Sequence, residues 1–220
     1  MKKRLLGLLC ALGILVSIIM PASAAFNDVP SSHWAYNDIT KFTSFGAING
    51  YPDGSFHPDS NITYAEVATV YHKFFGDTGE TRSFPDVTRD HWAYDAITNA
   101  GIWFFHQATN SSGNFMPGTN AQRQDIAFIL GIFVSAGTGK NAADQRSNFS
   151  DYNKILTIVA PYVDLAVEAK LINGYSDGTF QPAAPVTRAE FVVMLNRLNT
   201  YMEAIYPSSI ANSVAVEAIS

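Results

Sequence analysis

The 220-residue chain has almost no cysteine: Cys10 is the single one, and it lies in an apolar run near the N-terminus. The rest of the chain therefore has no disulfide, no thiolate metal ligand and no cysteine nucleophile. A cysteine-free export product suits a bacterial surface. Positive charge is also scarce, with 14 Lys and Arg against 19 Asp and Glu. Lys2, Lys3 and Arg4 precede an apolar stretch from Leu5 to Met20, then Pro21 and Ala22-Ser23-Ala24-Ala25. A basic start, an apolar run and a small-x-small site describe a secretory signal peptide, residues 1–24. That run is shorter than the roughly 20 residues a membrane-spanning helix needs. Cys10 sits too early, behind Leu8-Leu9, to be a lipidation site. Without the leader, 11 basic residues face 19 acidic ones, a net charge of −8. Such a chain repels phosphates, which argues against nucleic acid as a partner. No second apolar run is long enough to cross a membrane. Phosphate-loop, Gly-x-Ser-x-Gly and His-Glu-x-x-His patterns are missing as well. The chain reads as a non-enzyme with no cofactor and no metal.

What the chain does have is repetition. Phe26-Asn27-Asp28-Val29 recurs as Phe84-Pro85-Asp86-Val87 and, more loosely, as Phe149-Ser150-Asp151-Tyr152. His33-Trp34-Ala35-Tyr36 recurs as His91-Trp92-Ala93-Tyr94. Gly50-Tyr51-Pro52-Asp53-Gly54-Ser55-Phe56 recurs as Gly174-Tyr175-Ser176-Asp177-Gly178-Thr179-Phe180. The middle copy keeps only Ser112-Gly113-Asn114-Phe115-Met116-Pro117 of that stretch. Each copy then reaches a similar helix start: Thr63-Tyr64-Ala65-Glu66, Gln122-Arg123-Gln124-Asp125 and Thr187-Arg188-Ala189-Glu190.

Local chemistry explains the markers. Asp28, Ser31 and Ser32 can cap a helix over about residues 33–45. Trp34, Ile39, Phe42 and Phe45 follow its 3.6-residue period, and Gly46 ends it. The Gly-Tyr-Pro-Asp-Gly stretch is turn chemistry, with Ser55-Phe56 as a short extended pair. Thr63 and Glu66 form a capping box before a helix that buries Val67, Val70, Tyr71 and Phe74. Thr187 and Glu190 repeat it before Phe191, Met194, Leu195 and Leu198. The unit is thus helix, glycine-rich loop, helix. One copy of about 55 residues buries little core alone. Three copies can share one, with the second helices packed around a pseudo-threefold axis.

In this ordered set the chain resembles the S-layer homology family over about residues 26–202. Its repeats open with Phe-x-Asp-Val, carry His-Trp-Ala, pass through Gly-Tyr-x-Asp-Gly-Thr-Phe-x-Pro and close with Thr-Arg-Ala-Glu. The resemblance implies a mostly α, three-pronged pseudo-trimer with a central three-helix bundle. It divides the chain into a signal peptide (1–24), repeats at 25–80, 81–140 and 146–202, and a tail (203–220). It implies a secreted protein of the bacterial cell surface that binds a secondary cell-wall polysaccharide noncovalently, often one bearing ketal-pyruvate. Peptidoglycan is bound instead in some lineages. Self-assembly into a surface layer, or docking of another envelope protein, is the alternative role.

The resemblance also implies binding in grooves, where the motif Arg meets the anionic group beside the Trp and Asp of a neighbouring repeat. A guanidinium fits a ketal carboxylate bidentately. The free amides and dipole of a helix N-terminus would add to it. Taken in cyclic order, Arg188 joins Trp34 and Asp28. Tyr64, standing where the motif has Arg, joins Trp92 and Asp86. Arg123 joins Asp151 without a Trp, because the third repeat has Ile158 near that position. The principal site is expected between the third and first repeats, with Arg188→Ala more damaging to binding than Arg123→Ala. Structural readings stand beside these. The three aspartates can be helix caps, Trp34 and Trp92 core, His33 and His91 structural, and Arg188 half of a salt bridge between prongs. Asp53 and Asp177 lack the ligand alternation of a calcium loop. The stretch Ile102–Asn114 is an altered groove or a partner contact, and the apolar tail is either frayed or packed on the bundle or a partner.

Overall fold

The computed structural model describes residues 26–76, 81–99 and 113–206, without the side chains of residues 74 and 75. The expected signal peptide, nearly all of 102–114, the Phe74 side chain and the tail beyond Tyr206 lie outside the described residues. The described helices are α1 (Tyr36–Ser44), α2 (Tyr64–Phe75), α3 (Tyr94–Asn99), α4 (Arg123–Thr138), α5 (Ala160–Glu168) and α6 (Arg188–Ile205). Each repeat supplies two of them, and the described residues contain no β-strand.

The first unit shows how the markers work. Phe26 opens a turn, with the Val29 amide donating to its carbonyl at 3.2 Å. Asp28 does not cap α1. Its carboxylate accepts the amides of Phe56 (2.8 Å) and His57 (2.6 Å), across the unit. Ser31 and Ser32 do not cap α1 either, since its N-cap is Ala35 and no side chain bonds there. The reason is a pair of successive turns: His33 donates to Pro30 at 2.8 Å and Tyr36 to His33 at 2.9 Å. They delay the helix by about one turn. Ile39 and Phe42 are buried as expected, but Trp34 now precedes the helix and falls outside its buried stripe. Gly46, at φ +67°, follows the last turn.

The aspartate clamp occurs three times. Asp86 accepts Phe115 (2.8 Å) and Met116 (2.7 Å), and Asp151 accepts Phe180 (2.7 Å) and Gln181 (2.9 Å). The rings of Phe26 and Phe56, Phe84 and Phe115, and Phe149 and Phe180 pack at 5.4, 5.1 and 5.2 Å. The residue after each loop phenylalanine is left-handed: His57, Met116 and Gln181 have φ of +54°, +60° and +56°. That conformation costs a side-chain-bearing residue about 1–2 kcal/mol. Two charge-assisted bonds to one carboxylate are enough to hold it. For Asp28, burial pushes the carboxyl pKa up, but the Phe56 and His57 amides outweigh this and hold it below its ordinary value.

The units close into a ring. Ile62 donates to Val186 (2.9 Å), Val186 to Ala121 (3.1 Å) and Ala121 back to Ile62 (2.8 Å). All three residues are fully buried. Each such bond contributes about 1 kcal/mol net, and a buried amide left unpaired would cost more. Each second helix packs on the first helix of the next unit: α2 on α3, α4 on α5, α6 on α1. α4 also meets α6, and Tyr71 of α2 faces Phe133 of α4 at 6.1 Å. The result is the expected mostly helical pseudo-trimer, with the second helices at its centre and one continuous apolar cluster.

Candidate functional site

The seams between units are built by the starts of the second helices. The Tyr64 and Ala65 amides of α2 donate to Thr119 and Pro117 of the second loop, both at 3.0 Å. Arg123 and Gln124 of α4 donate to Ala184 (2.9 Å) and Pro182 (3.0 Å) of the third loop. Arg188 and Ala189 of α6 donate to Ser60 (2.9 Å) and Pro58 (3.0 Å) of the first. The cyclic order is therefore third on first, first on second and second on third. These amides are not free for an anion, contrary to expectation, because a neighbouring loop has already taken them.

The first side chain of each second helix enters the same seam. Arg188 is 2 % exposed. Its Nε donates to the Phe56 carbonyl (2.9 Å), Nη2 to the Asn49 carbonyl (2.8 Å) and Nη1 to Glu66 Oε1 (2.7 Å). The rings of Tyr51 and Phe56 lie 4.8 and 4.6 Å from the guanidinium. Arg123 is 5 % exposed and sits alike: Nε donates to the Phe180 carbonyl at 3.0 Å and Nη2 to that of Asn173. Tyr175 and Phe180 take the ring positions, at 4.6 and 5.3 Å. Its Nη1 has no hydrogen bond or ion pair among the described residues and is not among the fully buried unpaired atoms. Burial lowers the Arg123 pKa.

The third seam differs in kind. The buried Tyr64 hydroxyl donates to Asp125 Oδ2 and accepts the Gln122 amide at 3.4 Å. α2 and α6 have complete capping boxes, Thr63 with Glu66 and Thr187 with Glu190. α4 has none: its N-cap is Gln122 and no side chain bonds there. Asp125 is one methylene shorter than the glutamates, and the Tyr64 hydroxyl bridges it to the Gln122 amide. Burial is the main force raising the Asp125 carboxyl to about 7. Its Oδ1 is buried without a partner.

The expected site residues thus separate. Arg188 and Asp28 hold opposite ends of one residue, the Phe56 carbonyl and amide. Arg123 and Asp151 do the same at Phe180. Trp34 and Trp92 are not core, and among the described residues neither is in ring contact with an arginine. They stand 61 % and 67 % exposed, each beside its own histidine at 5.7 Å. Nδ1 of His33 and of His91 accepts the amide two residues on, at 3.2 and 3.1 Å, so both histidines hold the turn. Ile158 is likewise exposed, at 62 %. Asp86 bonds the second loop, while Tyr64 points away to Asp125. Asp53 and Asp177 turn onto Ser55 and Thr179 of their own turns. Sequence reasoning missed Tyr51 and Tyr175 as the rings over the arginines. Their recurrence after Gly50 and Gly174 was the available signal.

A family model described as the S-layer homology domain matches residues 25–68 and 148–192. The chain belongs to the S-layer homology family. The matched spans are the first and third repeats. The middle repeat keeps the same clamp, ring bond and left-handed residue without its full motif. The chain is 31 % identical over 160 residues to a cellulosome-anchoring protein of Acetivibrio thermocellus, covering 68 % of this chain and 34 % of that one. It is 30 % identical over 205 residues to the S-layer protein EA1 of Bacillus anthracis, covering 86 % and 22 %. It is 23 % identical over 211 residues to an endoglucanase of a Bacillus species, covering 89 % and 22 %. The chain spans about a third or less of the length of these relatives. This S-layer homology protein is a protein of the bacterial cell surface, like the surface-layer proteins it matches.

Proposed function

We propose that the chain is a non-catalytic anchor that binds an acidic secondary cell-wall polysaccharide in the grooves between its repeats, bounded at 25–80, 81–140 and 146–202. The observation that carries this is a buried guanidinium delivered into the loop of the next repeat at two of three seams. A sugar carboxylate, such as that of a pyruvyl ketal, matches the guanidinium fork. Exposed Trp34 and Trp92 offer flat faces to sugar rings. Asp28, Asp86 and Asp151 hold the loops to which the ligand would be presented, and Tyr64 closes a seam that lacks an arginine. Net acidity is no obstacle, since charges beyond about 8–10 Å are screened at physiological salt.

Sedimentation of the mature chain with purified sacculi tests the reading. Binding that vanishes when the secondary polymer is stripped supports it; equal binding to stripped sacculi replaces the polymer with peptidoglycan. The names of the surface-layer relatives favour a second reading, self-assembly in a lattice. A mass that stays monomeric across a wide concentration range would remove it.

A further inference from the structure

We infer that Glu66 is a built-in competitor for the Arg188 guanidinium, which leaves the groove of Arg123, between the second and third repeats, as the one open to a carboxylate ligand. The inference rests on the acidic-polysaccharide reading and assigns its site.

The same two positions face each other at every seam: the first residue of one second helix and the third residue of the next. Between the third and first repeats they are Arg188 and Glu66, paired at 2.7 Å. Between the first and second they are Tyr64 and Asp125, joined by a hydrogen bond. Between the second and third they are Arg123 and Glu190, which form no ion pair. Two seams are closed by an internal carboxylate and one is open.

The second shared feature is the loop tyrosine. The Tyr51 hydroxyl donates to Glu66 Oε1 at 2.9 Å, the same oxygen that accepts Arg188. Glu66 is thereby held by a phenol, a guanidinium and, through Oε2, the Thr63 amide at 2.8 Å. In the other groove Glu190 keeps its bond to the Thr187 amide at 2.9 Å, but the Tyr175 hydroxyl bonds no described residue. The Arg123 Nη1 edge and that hydroxyl therefore line one groove with unused donors. A ligand carboxylate can supply the missing acceptor there. At Arg188 it must first displace Glu66, exchanging one carboxylate for another with no net gain in charge pairing. Burial disfavours the Arg123 cation by more than the nearby Glu190 charge favours it, so an incoming anion relieves a cost already present.

Isothermal titration of the mature chain with a pyruvylated hexosamine glycoside decides the matter, with the ketal-free glycoside as control. Wild type should bind one equivalent. Arg123→Gln should weaken binding by about tenfold or more, the loss expected for a charged hydrogen bond. Glu66→Gln should raise the stoichiometry to two; glutamine still caps α2, and a melting curve confirms the fold. Should Arg123→Gln not fold, Arg123→Lys keeps the charge but loses the fork and should also weaken binding. Two equivalents on wild type, one on folded Glu66→Gln, or affinity indifferent to both Arg123 variants would overturn the inference while leaving the acidic-polysaccharide reading intact. No binding by any of the proteins would overturn that reading, and the inference with it.

Discussion

The seam that α6 makes with the first loop and the seam that α4 makes with the third are built from the same parts. Both place an arginine between a phenylalanine carbonyl and an asparagine carbonyl, under a tyrosine ring. They differ in one carboxylate. Glu66 bonds the arginine of the first, and Glu190 acts on the arginine of the second only through space, without an ion pair or hydrogen bond. A motif arginine can therefore be fully bonded at one seam and keep one donor edge unbonded at the next. The largest expected effect tests this division. Arg188→Met should cost about 4 kcal/mol, because it takes the counter-charge from a partly buried Glu66 and leaves two loop carbonyls unpaired. Arg123→Met should cost about 2 kcal/mol, for two lost bonds and no stranded charge. Urea denaturation of both variants measures the gap, and equal losses would erase the distinction.

The seam between the first and second repeats sharpens the comparison through pH. The Asp125 carboxyl rises to about 7 in the fold, from an ordinary 3.8. The folded chain then holds more protons than the unfolded chain between those values. Stability from this group is complete below about 3.8 and is lost as pH climbs to about 7, by on the order of 4 kcal/mol. Asp28 behaves oppositely: its carboxyl is held low, so its contribution is lost as pH falls below its ordinary range. Asp125→Asn still accepts the Tyr64 hydroxyl and should flatten the slope between pH 4 and 7. A slope as steep as in wild type would show that Asp125 is not its source.

Much of this was legible in the sequence wherever the physics was local. Thr63 with Glu66 and Thr187 with Glu190 cap their own helices, and both boxes stand as read. The three-copy order gave the shared core and the cyclic contact. The aspartates were harder. A cap and a clamp both need a carboxylate near amides, and only the folded loop brings the Phe56 and His57 amides to Asp28. Trp34 fits the helical period, yet the turns at Pro30 and His33 move the helix start past it. The Arg188 pair with Glu66 was visible only as a generic bridge between prongs, because its partner lies 122 residues away. The Tyr64 link to Asp125 was hidden altogether: each residue reads as a loss of motif, and only together do they replace it.

The smallest effect concerns the caps that underlie the seams. Thr187→Ala removes a hydroxyl that accepts the Glu190 amide at 3.2 Å and should cost about 1 kcal/mol. Gln122, at the same position of α4, makes no cap bond. Among the described residues its side chain accepts only Gln124 Nε2, at 3.1 Å, so Gln122→Ala should cost no more than about 0.5 kcal/mol. Thermal melts of the pair read this difference directly. If Gln122→Ala proves as costly as Thr187→Ala, then the Gln122–Gln124 contact, and its continuation to the Leu156 amide at 3.1 Å, steadies α4 as firmly as a capping box does. The openness of the Arg123 groove would then rest on a rigid helix start, not a loosened one. If the cost is small, α4 begins on the Tyr64 hydroxyl, and the seam without an arginine is what steadies the helix that presents Arg123.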